Sequence, residues 1–140
     1  MAEPTLVLGV KEMDDDHARL EAILARVPAS ADGALPALLD EVAAETREHF
    51  THEEALMRAA EFPVLFCHMA QHRMILDGIE AARGTVGRGD MAGLRNYLAV
   101  ILPEMIASHI ASVDRVTASF LKGEVGPEAF GTLRLPERVA

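Results

Sequence analysis

The chain reads as an all-α protein: an up-down-up-down antiparallel four-helix bundle with a short C-terminal extension. Composition is the first reason. Half of the 140 residues are hydrophobic, yet only 4% are aromatic and none is Trp. Such a chain packs helices through Ala, Leu, Ile, Val and Met more readily than it builds a β-sandwich. Periodicity is the second reason, because apolar residues recur three and four apart along four segments. Punctuation is the third: the breaks between those segments are short and carry Pro or Gly.

The elements follow in order. Residues 1–11 form a mostly apolar arm containing Gly9. The first helix is expected from residues 12–14 to 27, with Asp14, Asp15 and Asp16 at its positive N-terminal end. Its stripe is Met13, His17, Leu20, Leu24 and Val27, and Pro28 ends it. The second helix, over 34–61, carries Leu35, Leu38, Val42, Thr46, His49, Glu53, Leu56 and Ala60 on one face. His52 falls at the edge of that face and Glu54 points away from it. Phe62-Pro63 breaks the chain and starts the third helix, over 64–86, with Leu65, His68, His72, Ile75 or Leu76, and Ile79 aligned. Gly84, Gly87 and Gly89 close it. Asp90 caps a fourth helix bearing Leu94, Leu98, Ile101, Met105, His109, Val113, Val116 and Phe120, which fades at Lys122-Gly123. The bundle is therefore assigned to 1–122 and a tail to 123–140. Met57, Met69, Met74 and Met105 read as core filler and Cys67 as a small packed hydrophobe.

Bulk properties narrow the function. The length is that of one domain with a real core. A net charge of −9 argues against nucleic acid and anionic membrane as partners. A single cysteine excludes an intrachain disulfide and a cysteine-based zinc site. The opening Met1-Ala2-Glu3-Pro4 lacks a basic region before an apolar run, and the apolar runs are shorter than a membrane span. A cytoplasmic location is the expectation.

Polar residues fall within the apolar stripes at His17, His49, Glu53, His68, His72 and His109, and Asp114 follows His109 by five as a further candidate. In an up-down-up-down bundle these seven converge on one end. Five imidazoles and two carboxylates exceed the needs of one ion. Two ions bridged by both carboxylates accommodate them, with an unequal division of histidines that leaves one coordination position open. Imidazole suits iron, zinc, copper or nickel, and bridging carboxylates favour a redox-active pair such as iron. Ferritin-like di-iron bundles use Glu-x-x-His pairs. None occurs here, since Asp14, Thr46, His49, Leu65, Met69 and Ile106 precede the histidines by three.

The chain resembles the hemerythrin family, of the bacterial single-domain type. The resemblance is carried by Asp15-Asp16-His17-x-x-Leu20, His49-Phe50-x-x-Glu53-Glu54-x-x-Met57, Phe62-Pro63, His68-x-x-x-His72 and His109-Ile110-x-x-x-Asp114, across residues 6–121. It implies two non-haem iron ions bridged by Glu53, Asp114 and an oxo or hydroxo group. His68, His72 and His109 would serve one ion, and His17 and His49 the other. It further implies reversible dioxygen binding at the two-histidine ion, for storage, delivery or supply, with no catalytic residue. Ile106, Phe50 and Ile110 would wall the dioxygen pocket, and Asp15 or Asp16 would orient His17. The alternatives are an oxygen or redox sensor acting through a partner, and peroxide or nitric oxide chemistry at the same centre.

Two features are particular to this chain. His109 and Asp114 are five apart, about 140° around a regular helix, so a widened π-turn is expected near 109–114. Pro103 should kink the fourth helix, and Met105 stands where the family often has Trp.

Overall fold

The computed structural model describes residues 6–131, which form four helices and no strand. They are α1 (Lys11–Leu24), α2 (Leu35–Ala59), α3 (Leu65–Gly87) and α4 (Met91–Leu121). Short connections make consecutive helices antiparallel neighbours, as in the expected bundle.

α1 stops three residues before the expected end, and the chain continues to Val27 through single hydrogen-bonded turns. Val27 is fully buried, which explains why its periodicity looked helical. Asp14 does not cap α1. Its carboxylate accepts the Leu8 N–H at 2.8 Å and the Gly9 N–H at 3.0 Å, tying the preceding arm to the first turn. The bend there places Gly9 at φ 87°, which side chains resist. Asp90 caps α4 as expected, accepting the Gly93 N–H at 2.9 Å.

α4 is continuous but contains two widened turns, Tyr97–Ile101 and Ile110–Asp114. The second is the π-turn that the His109–Asp114 spacing requires. The first ends two residues before Pro103, with the Leu102 N–H donating to the Tyr97 carbonyl five residues back. Pro103 has no N–H, and its ring would crowd the carbonyl four residues before it. A wider turn accommodates both defects, so a π-turn stands where the sequence suggested a simple kink.

The main core lies at one end of the bundle, around Val27, Leu35, Leu39, Ile79, Leu94 and Leu98. A smaller cluster holds Leu8, Met13, Ile110 and Ala118, and a third holds Met57, Phe62 and Phe130. Phe130 comes from a 3₁₀ turn, Pro127–Phe130, and meets Phe62 edge-on at 5.4 Å. Residues 123–131 thus fold back onto the bundle. The rest of the expected tail, 132–140, and the start of the arm, 1–5, lie outside the described residues.

Several expectations fail at the surface, among them Ile101 and Val116 of the fourth-helix stripe, which are 42% and 46% exposed. Cys67 is exposed rather than packed, and Met74 is 59% exposed rather than core filler. Both lie on a third helix with only part of its circumference covered. By length and composition α4 also reaches what a membrane-crossing helix needs, which its interrupted apolar runs did not suggest. Here it contributes Leu94, Leu98 and Leu102 to the core.

Candidate metal centre

Each helix delivers its polar stripe residues inward because those residues replace apolar side chains at core-facing positions. α1 supplies His17, α2 His49 and Glu53, α3 His68 and His72, and α4 His109 and Asp114. All seven are at most 5% exposed. Their ligating atoms form two sets. Glu53, His68, His72, His109 and Asp114 make one, and His17, His49, Glu53 and Asp114 make the other. Glu53 and Asp114 belong to both.

The two carboxylates are the hub. His49 Nε2 lies 2.8 Å from Glu53 Oε2, and His72 Nε2 3.1 Å from Glu53 Oε1. His68 Nε2 lies 2.9 Å from Glu53 and 3.0 Å from Asp114. His17 Nε2 is 2.9 Å from Asp114, and His109 Nε2 3.1 Å from it. The widened turn at Ile110–Asp114 is what allows His109 and Asp114, on one helix, to meet at one point.

Outer partners set the ring orientations. His68 Nδ1 donates to Thr117 Oγ1 at 2.7 Å, while that hydroxyl donates to the Val113 carbonyl. His72 Nδ1 donates to Glu54 at 2.9 Å, and His49 Nδ1 to Asp16 at 3.2 Å. A proton on Nδ1 leaves the Nε2 lone pair aimed at the carboxylates, the tautomer a metal-ligating imidazole adopts. Two sequence expectations change here. Asp16 addresses His49 rather than His17, and Asp15 pairs with Lys11 at the surface. Glu54 does not point away, because α3 packs against the flank of α2 and brings His72 within reach. Thr117 was not singled out in the sequence. Its only signal there is its place one turn after Val113 on the α4 stripe.

Electrostatics agree with a site built for cations. Burial lowers the affinity of His17 and His68 for a proton, but Asp114 and Glu53 overcome it and raise both to about 9. Burial favours a neutral Glu53, yet the surrounding imidazoles hold it well below the usual carboxylate range. Asp114 is lowered for the same reason, chiefly by His109, His17 and His68. Several buried atoms meet no hydrogen-bond partner among the described residues: Glu53 Oε2, Asp114 Oδ1, His68 Nε2 and His109 Nε2. Such orphans are costly in a dry interior. Atoms this close, converging without hydrogen-bond alignment, fit coordination to shared cations.

Phe50 stacks on His72, with centroids 3.7 Å apart and planes 6° apart. Ile106 and Ile110 lie elsewhere, on an open groove of about 750 Å³ between α1 and α4. Leu24, Leu98, Pro103 and Ala107 also line it, and it reaches His17.

Comparison with known proteins agrees with this geometry. Residues 8–121 match the hemerythrin HHE cation binding domain family. A bacteriohemerythrin of Ralstonia nicotianae (strain ATCC BAA-1114 / GMI1000) is 36% identical over 124 residues, covering 89% of each chain. A bacteriohemerythrin of Stenotrophomonas maltophilia (strain R551-3) is 24% identical over 124 residues, covering 86% of this chain and 80% of the relative. No solved structure matches the chain. A buried cluster of histidines and carboxylates at the end of a helical bundle, and a family match across nearly all of that bundle, lead to one statement: the chain belongs to the hemerythrin family.

Proposed function

We propose that the centre holds two non-haem iron ions and binds dioxygen reversibly. His68, His72 and His109 serve one ion, His17 and His49 the other, and Glu53 and Asp114 serve both. The observation that carries this reading is the division of one buried cluster into two donor sets sharing both carboxylates, with three histidines against two. The poorer set has room for an exogenous ligand. Iron supplies the electrons that make dioxygen binding possible and reversible. The chain supplies the rest. Glu53 and Asp114 neutralise the cations, and the Nδ1 partners of His49, His68 and His72 hold those rings in register. Phe50 covers the three-histidine side, and Ile106 and Ile110 keep the other side apolar, so that water competes poorly with an apolar diatomic.

The lining of the groove includes His17, a member of the two-histidine set. This supports entry of dioxygen between α1 and α4 and its binding on that side. The groove is wider than a diatomic needs, which favours one second reading: peroxide chemistry at the same centre. A visible spectrum of the iron(II)-loaded protein, cycled between air and inert gas, tests both. A charge-transfer band that appears in air and disappears on purging is the expected result. A band that forms once and decays to an unresponsive oxidised state supports the second reading. No band with two irons bound per chain overturns the dioxygen proposal.

A further inference from the structure

Asp16 is a carboxylate buried to 1% exposure, whereas its neighbours Asp14 and Asp15 are only half-buried. Burying a charge is expensive unless it is paired and hydrogen-bonded, and Asp16 is held on every side. One oxygen accepts His49 Nδ1 at 3.2 Å and His52 Nδ1 at 3.1 Å. The other pairs with Arg19, which also reaches Glu45 at 3.4 Å. His52 is 47% exposed and sits 3.9 Å from Glu48. A chain of contacts thus runs from solvent, through His52 and Asp16, to a histidine of the two-histidine set.

The arrangement is asymmetric. In the three-histidine set, His72 is backed by Glu54 and His68 by a neutral hydroxyl. In the two-histidine set His17 Nδ1 meets no partner among the described residues, so His49 alone has an outer partner, and that partner is a full carboxylate. We propose that Asp16 and His52 are positioning residues for His49, and through it set the metal affinity of the two-histidine position selectively. This rests on the two-ion reading above. A carboxylate behind a ligating imidazole fixes its orientation and increases its donor strength, and losing such a partner weakens a metal site by about 10- to 100-fold. His52 acts one contact further out. By sharing the Asp16 oxygen it holds the carboxylate across the α1–α2 interface in the orientation His49 needs.

The test is a cobalt(II) titration of the full-length metal-free chain, followed by ligand-field absorption and metal analysis, with the metal-free melting temperature measured alongside. The native chain is expected to take up two cobalt ions. Asp16→Asn is expected to weaken one of them about 10- to 100-fold, with a shifted absorption band for that ion alone, and Asp16→Glu to restore part of the loss. His52→Ala, at an exposed position, is expected to weaken the same ion by a smaller factor with a shift in the same band. It carries the test should Asp16→Asn fold poorly. Variants that bind both ions with native affinity and spectrum overturn the inference while leaving the two-ion reading intact. Equal weakening of both ions, tracking a lower metal-free melting temperature, also overturns it, since that marks general loosening. A native chain that binds fewer than two cobalt ions overturns the two-ion reading and this inference together.

Discussion

Glu53 and Asp114 occupy the position where a bare carboxylate would cost most, the dry centre of a bundle. In the metal-free chain the imidazoles offset that cost by holding protons, and the pH dependence follows. His17 and His68 keep protons to about pH 9 in the folded chain, whereas unfolded histidines lose theirs near 6.5. Their contribution to stability is complete below about pH 6.5 and is lost as pH rises through about 9. Glu53 and Asp114, depressed in the fold, contribute above their unfolded values near 4.5 and 3.8 and lose that contribution in stronger acid. The melting temperature of metal-free protein is therefore expected to fall between pH 6.5 and 9. Metal-loaded protein is expected to show the opposite trend on the acid side, releasing metal as pH falls, because cations and protons compete for the same nitrogens. A metal-free melting temperature that rises between pH 6.5 and 9 would refute this account of the site. A single substitution tests the shared carboxylates: Asp114→Asn is expected to reduce binding below two ions per chain by metal analysis, because the residue serves both donor sets. Six of the seven site residues were legible in the sequence because each falls within an apolar stripe, and Asp114 was legible from its spacing to His109 and the family resemblance. Asp16, Glu54 and Thr117 were not legible in their roles, because a helix flank shows what it faces only once the neighbouring helix is placed.

At the scale of elements, α4 shows most clearly how local geometry serves the site. A regular helix would send His109 and Asp114 about 140° apart. The extra residue in the Ile110–Asp114 turn brings them to one point instead. Inserting one alanine after Ala111 should rotate Asp114 by about 100° relative to His109. The expected outcome is loss of metal binding with helical circular dichroism retained. Unchanged metal uptake would show that the turn is incidental. This π-turn was readable from the five-residue spacing. The one at Tyr97–Ile101 was not, although Pro103 marked the place, because a proline can be accommodated by a kink, a break or a widened turn, and packing selects among them.

For the molecule as a whole, the bundle is closed by more than its four helices. Phe130, 4% exposed, fills a cluster with Met57 and Phe62 beside His68, whose ring lies 6.4 Å edge-on to Phe62. Phe130→Ala is expected to destabilise the protein by about 3 kcal/mol, the usual scale for emptying a buried aromatic site, as measured by urea denaturation. A change within about 0.5 kcal/mol, typical of surface substitutions, would mean that residues 123–131 behave as a loose extension. Filling the groove tests access on the same scale. Ile106→Trp is expected to slow dioxygen association in stopped-flow measurements while leaving the number of bound metal ions unchanged.

The sequence by itself determined the all-α class, the four helices to within a few residues, the end of the bundle where the site lies and the residues that form it. It could do so because helical periodicity is local, and a polar residue inside an apolar stripe identifies itself without reference to any other helix. Only the tertiary structure decided which carboxylate backs which histidine, that residues 123–131 return to cover the aromatic cluster, and that α1 and α4 leave a groove whose lining includes His17. Each of these depends on the distance between side chains far apart in the chain, which is set by how the helices pack and not by the spacing of residues along any one of them.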